Sequence, residues 1–135
     1  AVTYKTLDEL QACELLPFAA DTGLHAVMGR AYRRTECDRR RHPGHPFAAA
    51  CRADPRRGNT LIVTDSLAMD AITAAYTPGE AAVQALQAGC DVLLMPNSLP
   101  ELAAVLEAVQ NGTISEERLD RSVNKILLYK QQFAS

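Results

Sequence analysis

The sequence has no tryptophan and only 5% aromatic residues, and its formal net charge is −2. It therefore lacks both the basic surplus and the stacking side chains that mark a nucleic-acid or membrane-surface partner. No apolar run reaches the roughly eighteen residues of a membrane-spanning helix, and no signal peptide opens the chain. The first residue is Ala1 and not methionine, so the missing targeting segment carries little weight. Cysteine is scarce and scattered: Cys13, Cys37, Cys51 and Cys90 do not form the dense pattern of a small secreted disulfide framework. That usage favours a reducing, cytoplasmic compartment. What the chain has is 135 residues with 47% hydrophobic content, enough for one modest core.

Two of its three parts read as α/β. In the first, Leu7, Leu10, Leu15 and Phe18 space out an amphipathic helix that leads into a short strand at His25-Ala26-Val27-Met28. The third part, residues 61–135, opens with the strand LIVTD. A helix GEAAVQALQAG follows, stopped by Gly89, and then a buried strand DVLLMP. PELAAVLEAVQNG supplies a helix with Pro100 at its start and Gly112 at its end. Ser115, Glu116, Glu117 and Arg118 open a last helix, predicted to bury Leu119, Val123, Ile126, Leu127 and Phe133. Strand and helix alternate at the spacing of consecutive βα units in a parallel sheet or barrel.

The middle part, Gly29 to Gly58, has a different composition. It holds nine Arg against three acids, a net of +6, while the remainder has five basic against thirteen acidic residues, a net of −8. A basic nucleic-acid arm would need more stacking groups than Tyr32 and Phe47 and some helical periodicity. A zinc site built on Cys37, His42, His45 and Cys51 would have a spacing that matches no usual arrangement. The composition predicts a solvated, irregular segment, interrupted by Pro43, Pro46 and Pro55. No metal and no cofactor is expected anywhere in the chain.

Within LIVTDSLAMDAI, Asp65 ends a short β-branched run. If that run is a buried parallel strand, the acid lies at its carboxyl end, where α/β folds do their chemistry. The local pattern leaves a second reading equally open, in which Asp65 or Ser66 caps a helix over Leu67 to Ala75.

TDSLAMDAI, GEAAVQALQAGCDVLLMP and ISEERLDRSVNKILLYK together resemble the carboxyl-terminal part of the catalytic barrel of glycoside hydrolase family 3. The three motifs occur in family order, and LxxCELLPF resembles a helix and strand further upstream. Ser66 after the acid, followed by Met69, is closer to the β-N-acetylhexosaminidase branch than to β-glucosidases, which usually carry tryptophan beside the aspartate. The resemblance implies an α/β fold: the last three βα units of a TIM (β/α)8 barrel plus a C-terminal helix. It implies a glycoside or oligosaccharide substrate, with no nucleic-acid or membrane partner. It also implies that Asp65 is the nucleophile of a retaining mechanism and that Met69 contacts substrate. A retaining glycosidase needs a carboxylate that attacks the anomeric carbon and is later released by water. The other acids nearby, Asp70, Glu80 and Asp91, are expected at solvated helix positions and a strand entry.

The resemblance also shows what the chain departs from. A complete barrel needs about 250 residues, and the family's acid/base motif, similar to K-H-F-P-G-H-G with a following D-S-H, does not precede Leu15. His42-Pro43-Gly44-His45 is a superficial likeness in the wrong place. The expectation is a fragment, inactive alone, whose N-terminal barrel half lies elsewhere; a non-catalytic remnant or interaction module is the alternative. The departure begins at Met28 and ends near Leu61, and a pair of compensating frameshifts would account for both edges, as would a natural insertion.

Overall fold

The computed structural model describes residues 12–13, 25–29, 60–94 and 98–134. The predicted helix over Leu7 to Phe18 and the Arg-rich segment fall almost wholly outside them. Gly29 alone of that segment is described, as the last residue of strand β1 (Ala26–Gly29).

β1 pairs in parallel with β2 (Leu61–Thr64), in the register Ala26 to Leu61 through Gly29 to Thr64. Alternate residues of β2 are buried, Ile62 and Thr64 pointing into the core, as period-two geometry requires of a strand with one covered face. Beyond β2 the chain forms a four-residue helix α1 (Asp70–Thr73), then α2 (Pro78–Gln87), α3 (Ser98–Gln110) and α4 (Glu116–Phe133). The predicted helix from Leu67 to Ala75 is thus reduced to a single turn preceded by a bend.

Where a buried strand DVLLMP was expected, the structure has one parallel bridge, Val63 to Val92, with Met95 and Pro96 outside the described residues. The reason is visible at both ends of the bridge. A parallel ladder continued upward would pair the Leu94 amide with the Thr64 carbonyl, and downward the Ile62 amide with the Cys90 carbonyl. Instead the Leu94 N–H donates to the Thr64 hydroxyl at 3.0 Å. The Ile62 N–H donates to Asp91 Oδ2 at 3.1 Å. Side chains have taken over backbone positions in the ladder.

The helices end and begin where local chemistry dictates. Thr77 caps α2: its hydroxyl accepts from the Glu80 N–H, and the Glu80 carboxylate accepts from the Thr77 N–H at 2.8 Å. Glu80 is solvated, as expected, but it is also the second half of a capping box. Gly89 (φ 106°) and Gly112 (φ 77°) follow α2 and α3 in the left-handed region, as the sequence predicted. The Ser115 hydroxyl accepts from the Arg118 N–H at the start of α4. The core is built on β2 and the thin face of α2, where Ala81, Ala82 and Ala85 are buried with Ile62, Leu67 and Ile72. Small side chains let α2 approach α3 so closely that a Cβ on Gly79 would lie 2.6 Å from that of Ala104.

The predicted inner face of α4 is corrected. Val123, Leu127 and Phe133 are 50%, 48% and 67% exposed, and Ser122 is the helix residue that is buried. α4 docks through a polar stripe, described next, and Leu119 and Ile126 are only half-buried at its border.

Candidate active site

Asp65 follows β2 directly, at the carboxyl end of the parallel pair, and is half-buried. It does not cap a helix: α1 begins five residues later behind Met69, which makes no side-chain cap bond. The backbone instead arches from Thr64 to Leu67. One foot is held by the Thr64 N–H donating to the Val92 carbonyl (3.0 Å) and the Thr64 hydroxyl accepting from the Leu94 N–H. The other foot is held by the Leu67 N–H donating to the Leu94 carbonyl (3.1 Å). Leu94 therefore grips both feet. On the arch the Asp65 Oδ1 accepts from the Ser66 N–H at 2.8 Å, and the Ser66 hydroxyl accepts from the Ala68 N–H at 3.3 Å. This fixes one carboxylate oxygen against the backbone.

Met69 is partly buried and packs against the core cluster. The structure places it four residues after Asp65, at the start of α1.

Asp91, expected at a strand entry, is there but is not solvated. Its side chain is 3% exposed. Oδ2 accepts from the Ile62 N–H and from Lys125 Nζ at 3.0 Å, and Oδ1 accepts from the Ser122 hydroxyl at 2.6 Å. Arg118 completes the cluster: Nη1 donates to Ser122 Oγ, Nη2 to the Cys90 carbonyl at 2.7 Å and Nε to the Leu86 carbonyl at 3.1 Å. Sequence reading missed this cluster. The spacing of Arg118, Ser122 and Lys125, one face of a helix at i, i+4 and i+7, was the available signal.

Two shallow depressions are formed by described residues. One lies between α2 and α3 beside Val83, Gln84 and Ala108, the other beside His25 and Tyr129. Neither includes Asp65. Among the described residues no cluster of His, Cys, Asp or Glu could hold a metal ion, and no helix is long and apolar enough to cross a membrane. Cys37, His42, His45 and Cys51 lie outside the described residues.

A carboxylate at the carboxyl end of a parallel strand, on a loop clamped from the next segment, is an arrangement that α/β enzymes use for chemistry. The profile of the glycosyl hydrolase family 3 N terminal domain matches residues 1–128 of this chain, and the chain belongs to that family. Over 114 residues it is 32% identical to a beta-hexosaminidase of Methylococcus capsulatus, covering 82% of this chain and 34% of that protein. Over 73 residues it is 34% identical to a Cellulomonas fimi protein named beta-N-acetylglucosaminidase/beta-glucosidase, covering 53% of this chain and 13% of that protein. Among solved structures, a glycoside hydrolase family 3 beta-N-acetylglucosaminidase from Paenibacillus sp. str. FPU-7 superposes with a TM-score of 0.76 at 33% identity. The superposition covers 96% of this chain and 26% of that one. The chain thus spans about a third or less of the length of these relatives.

Proposed function

We propose that this chain is the nucleophile-bearing part of a retaining exo-glycosidase that releases terminal β-N-acetylhexosamine, and that Asp65 is the nucleophile. The observation that carries the reading is the position of Asp65: first residue beyond β2, on an arch whose feet are both bonded to Leu94. In the first step an Asp65 oxygen bonds to the anomeric carbon as the bond from that carbon to the leaving-group oxygen breaks. The departing oxygen takes a proton from an acid supplied by another part of the protein. Water then attacks the anomeric carbon of the glycosyl ester, giving its proton to that same group, now a base, as the bond to Asp65 breaks and the carboxylate is restored.

The hexosamine preference is supported by the names of two of the relatives and by Ser66, where β-glucosidases of the family usually carry tryptophan. Met69, only partly taken up by core packing, is the lesser candidate for a sugar contact. Peptidoglycan-derived or chitin-like saccharides fit this specificity. The strands β1, β2 and the Val92 segment are read as the sixth, seventh and eighth of a TIM (β/α)8 barrel whose earlier strands lie outside this chain. On this reading the chain alone binds and orients no sugar and is inactive.

A 5-fluoro glycosyl fluoride of N-acetylglucosamine, which keeps the 2-acetamido group, forms the ester through its good leaving group and releases it slowly, tests the assignment on the protein at its full genomic length. The expected result is a covalent label on the peptide containing Asp65. Labelling of another carboxylate, or no effect of Asp65→Asn on turnover, overturns it. Turnover by the 135-residue chain alone, at the rate of an intact hexosaminidase, overturns the fragment reading.

A further inference from the structure

The bond from the Leu94 amide to the Thr64 side chain has a consequence for the candidate nucleophile. In a continued parallel ladder that amide would be taken by the carbonyl of residue 64, and the peptide between residues 64 and 65 would lie in the sheet plane. Here the hydroxyl accepts it at 3.0 Å. The ladder therefore ends one residue early with the Leu94 N–H still satisfied, and the chain is released to turn into the arch. Thr64 itself is buried, 1% exposed. The carbonyl of the same Leu94 then accepts from Leu67 and closes the far foot.

We infer that the Thr64 hydroxyl is a positioning group for the Asp65 carboxylate: by substituting for its own backbone carbonyl as the acceptor for Leu94, it lifts Asp65 out of the sheet and fixes where the carboxylate stands. The inference rests on the reading of Asp65 as nucleophile for its catalytic meaning, but the clamp itself is independent of that reading. Threonine suits the place because its methyl branch fills the buried side while its oxygen accepts the bond. Valine keeps the shape and loses the acceptor. With valine at this position, the nearest replacement for the Leu94 amide is the carbonyl of residue 64, and making that bond draws Asp65 back toward the strand. A displacement of about 1 Å at a reacting group can cost on the order of 10²-fold in rate.

The test compares Thr64→Val, Thr64→Ser and Asp65→Asn in the protein at its full genomic length, with an aryl N-acetyl-β-glucosaminide as substrate. Thr64→Val should lower kcat about 10²-fold with KM within about threefold. Thr64→Ser, which keeps the oxygen, should stay within about tenfold of the parent. The exchange rate of the Leu94 amide, read by hydrogen exchange, should rise in Thr64→Val and not in Thr64→Ser. Equal kinetic damage from both Thr64 variants, or a Thr64→Val protein that loses only thermal stability while kcat is kept, overturns the inference. If Asp65→Asn retains turnover, the reading of Asp65 fails instead, and Leu94 exchange still decides the clamp. Unchanged exchange in Thr64→Val overturns it whatever the activity.

Discussion

β2 carries a buried aspartate against its amino-terminal half and a half-buried aspartate at its carboxyl end, and the two are held in opposite ways. Asp91 is enclosed by the Ile62 amide, the Ser122 hydroxyl and the Lys125 ammonium, with Arg118 Nη1 3.9 Å away. Asp65 has the neighbouring Ser66 amide on one oxygen and stands on a clamped arch. Three hydrogen bonds and a nearby guanidinium commit the buried Asp91 carboxylate to the fold. The Asp65 carboxylate is placed through the backbone that carries it. In barrels the amino-terminal face of the sheet is the stabilising one and the carboxyl-terminal face the reactive one, and Asp91 and Asp65 lie at the corresponding ends of the four residues of β2.

The comparison is most directly broken by exchanging the two phenotypes. Asp65→Asn in the full-length protein should lower turnover by at least about 10⁴-fold, as loss of a covalent nucleophile does, while the thermal midpoint stays near that of the parent. Asp91→Ala should do the reverse. It leaves Lys125 and Arg118 without their acid in a largely dry site, a loss of about 3 kcal/mol read by urea titration, with turnover per folded molecule little changed. If Asp91→Ala abolishes turnover at unchanged stability, or Asp65→Asn unfolds the protein, the division of labour is wrong.

Smaller effects sharpen it. The helices that follow Asp65 are joined by close packing and local caps. Gly79→Ala puts a Cβ 2.6 Å from that of Ala104, and the overpacking should cost about 2 kcal/mol, seen as a lower denaturation midpoint. Thr77→Ala removes the α2 cap and should cost about 1 kcal/mol. The cap should also be pH-dependent. The Thr77 amide, and after it the Thr77 hydroxyl, hold the exposed Glu80 carboxyl below its usual value. Because the folded value is the lower one, the contribution is complete above the ordinary glutamate range and lost as pH falls through the lowered value. Comparing acid melts of parent and Glu80→Gln checks this: the variant should lose less midpoint on acidification.

How much of this was legible depended on whether neighbours in sequence or in space decide the structure. The strand at Leu61, the stops at Gly89 and Gly112 and the cap at Ser115 are set by local residues and were read correctly. The position of Asp65 at a strand end was readable, and the role proposed for it came from family resemblance alone. The face of α4 was misread because periodicity assumes that apolar residues turn inward. Here Arg118, Ser122 and Lys125 turn inward, toward an acid 27 to 34 positions earlier in the chain, which no window along the sequence can register. The shortened strand after Asp91 has the same origin, since apolar residues at Val92 to Leu94 predict a ladder whose terminal bonds are diverted to side chains.

The Asp91 cluster also imposes an order in time. Its acid and the strand it serves are synthesised before Arg118, Ser122 and Lys125, the groups that compensate its burial. As the chain leaves the ribosome, those groups reach Asp91 and the amino-terminal half of β2 only once α4 has emerged. The helix that supplies these groups follows β2 by more than fifty residues, so the strand that leads to Asp65 is compensated from a later segment. A chain arrested just before residue 118 would present the Asp91 carboxylate without Arg118, Ser122 and Lys125, and Asp65 at the end of a strand whose buried neighbour is not yet compensated.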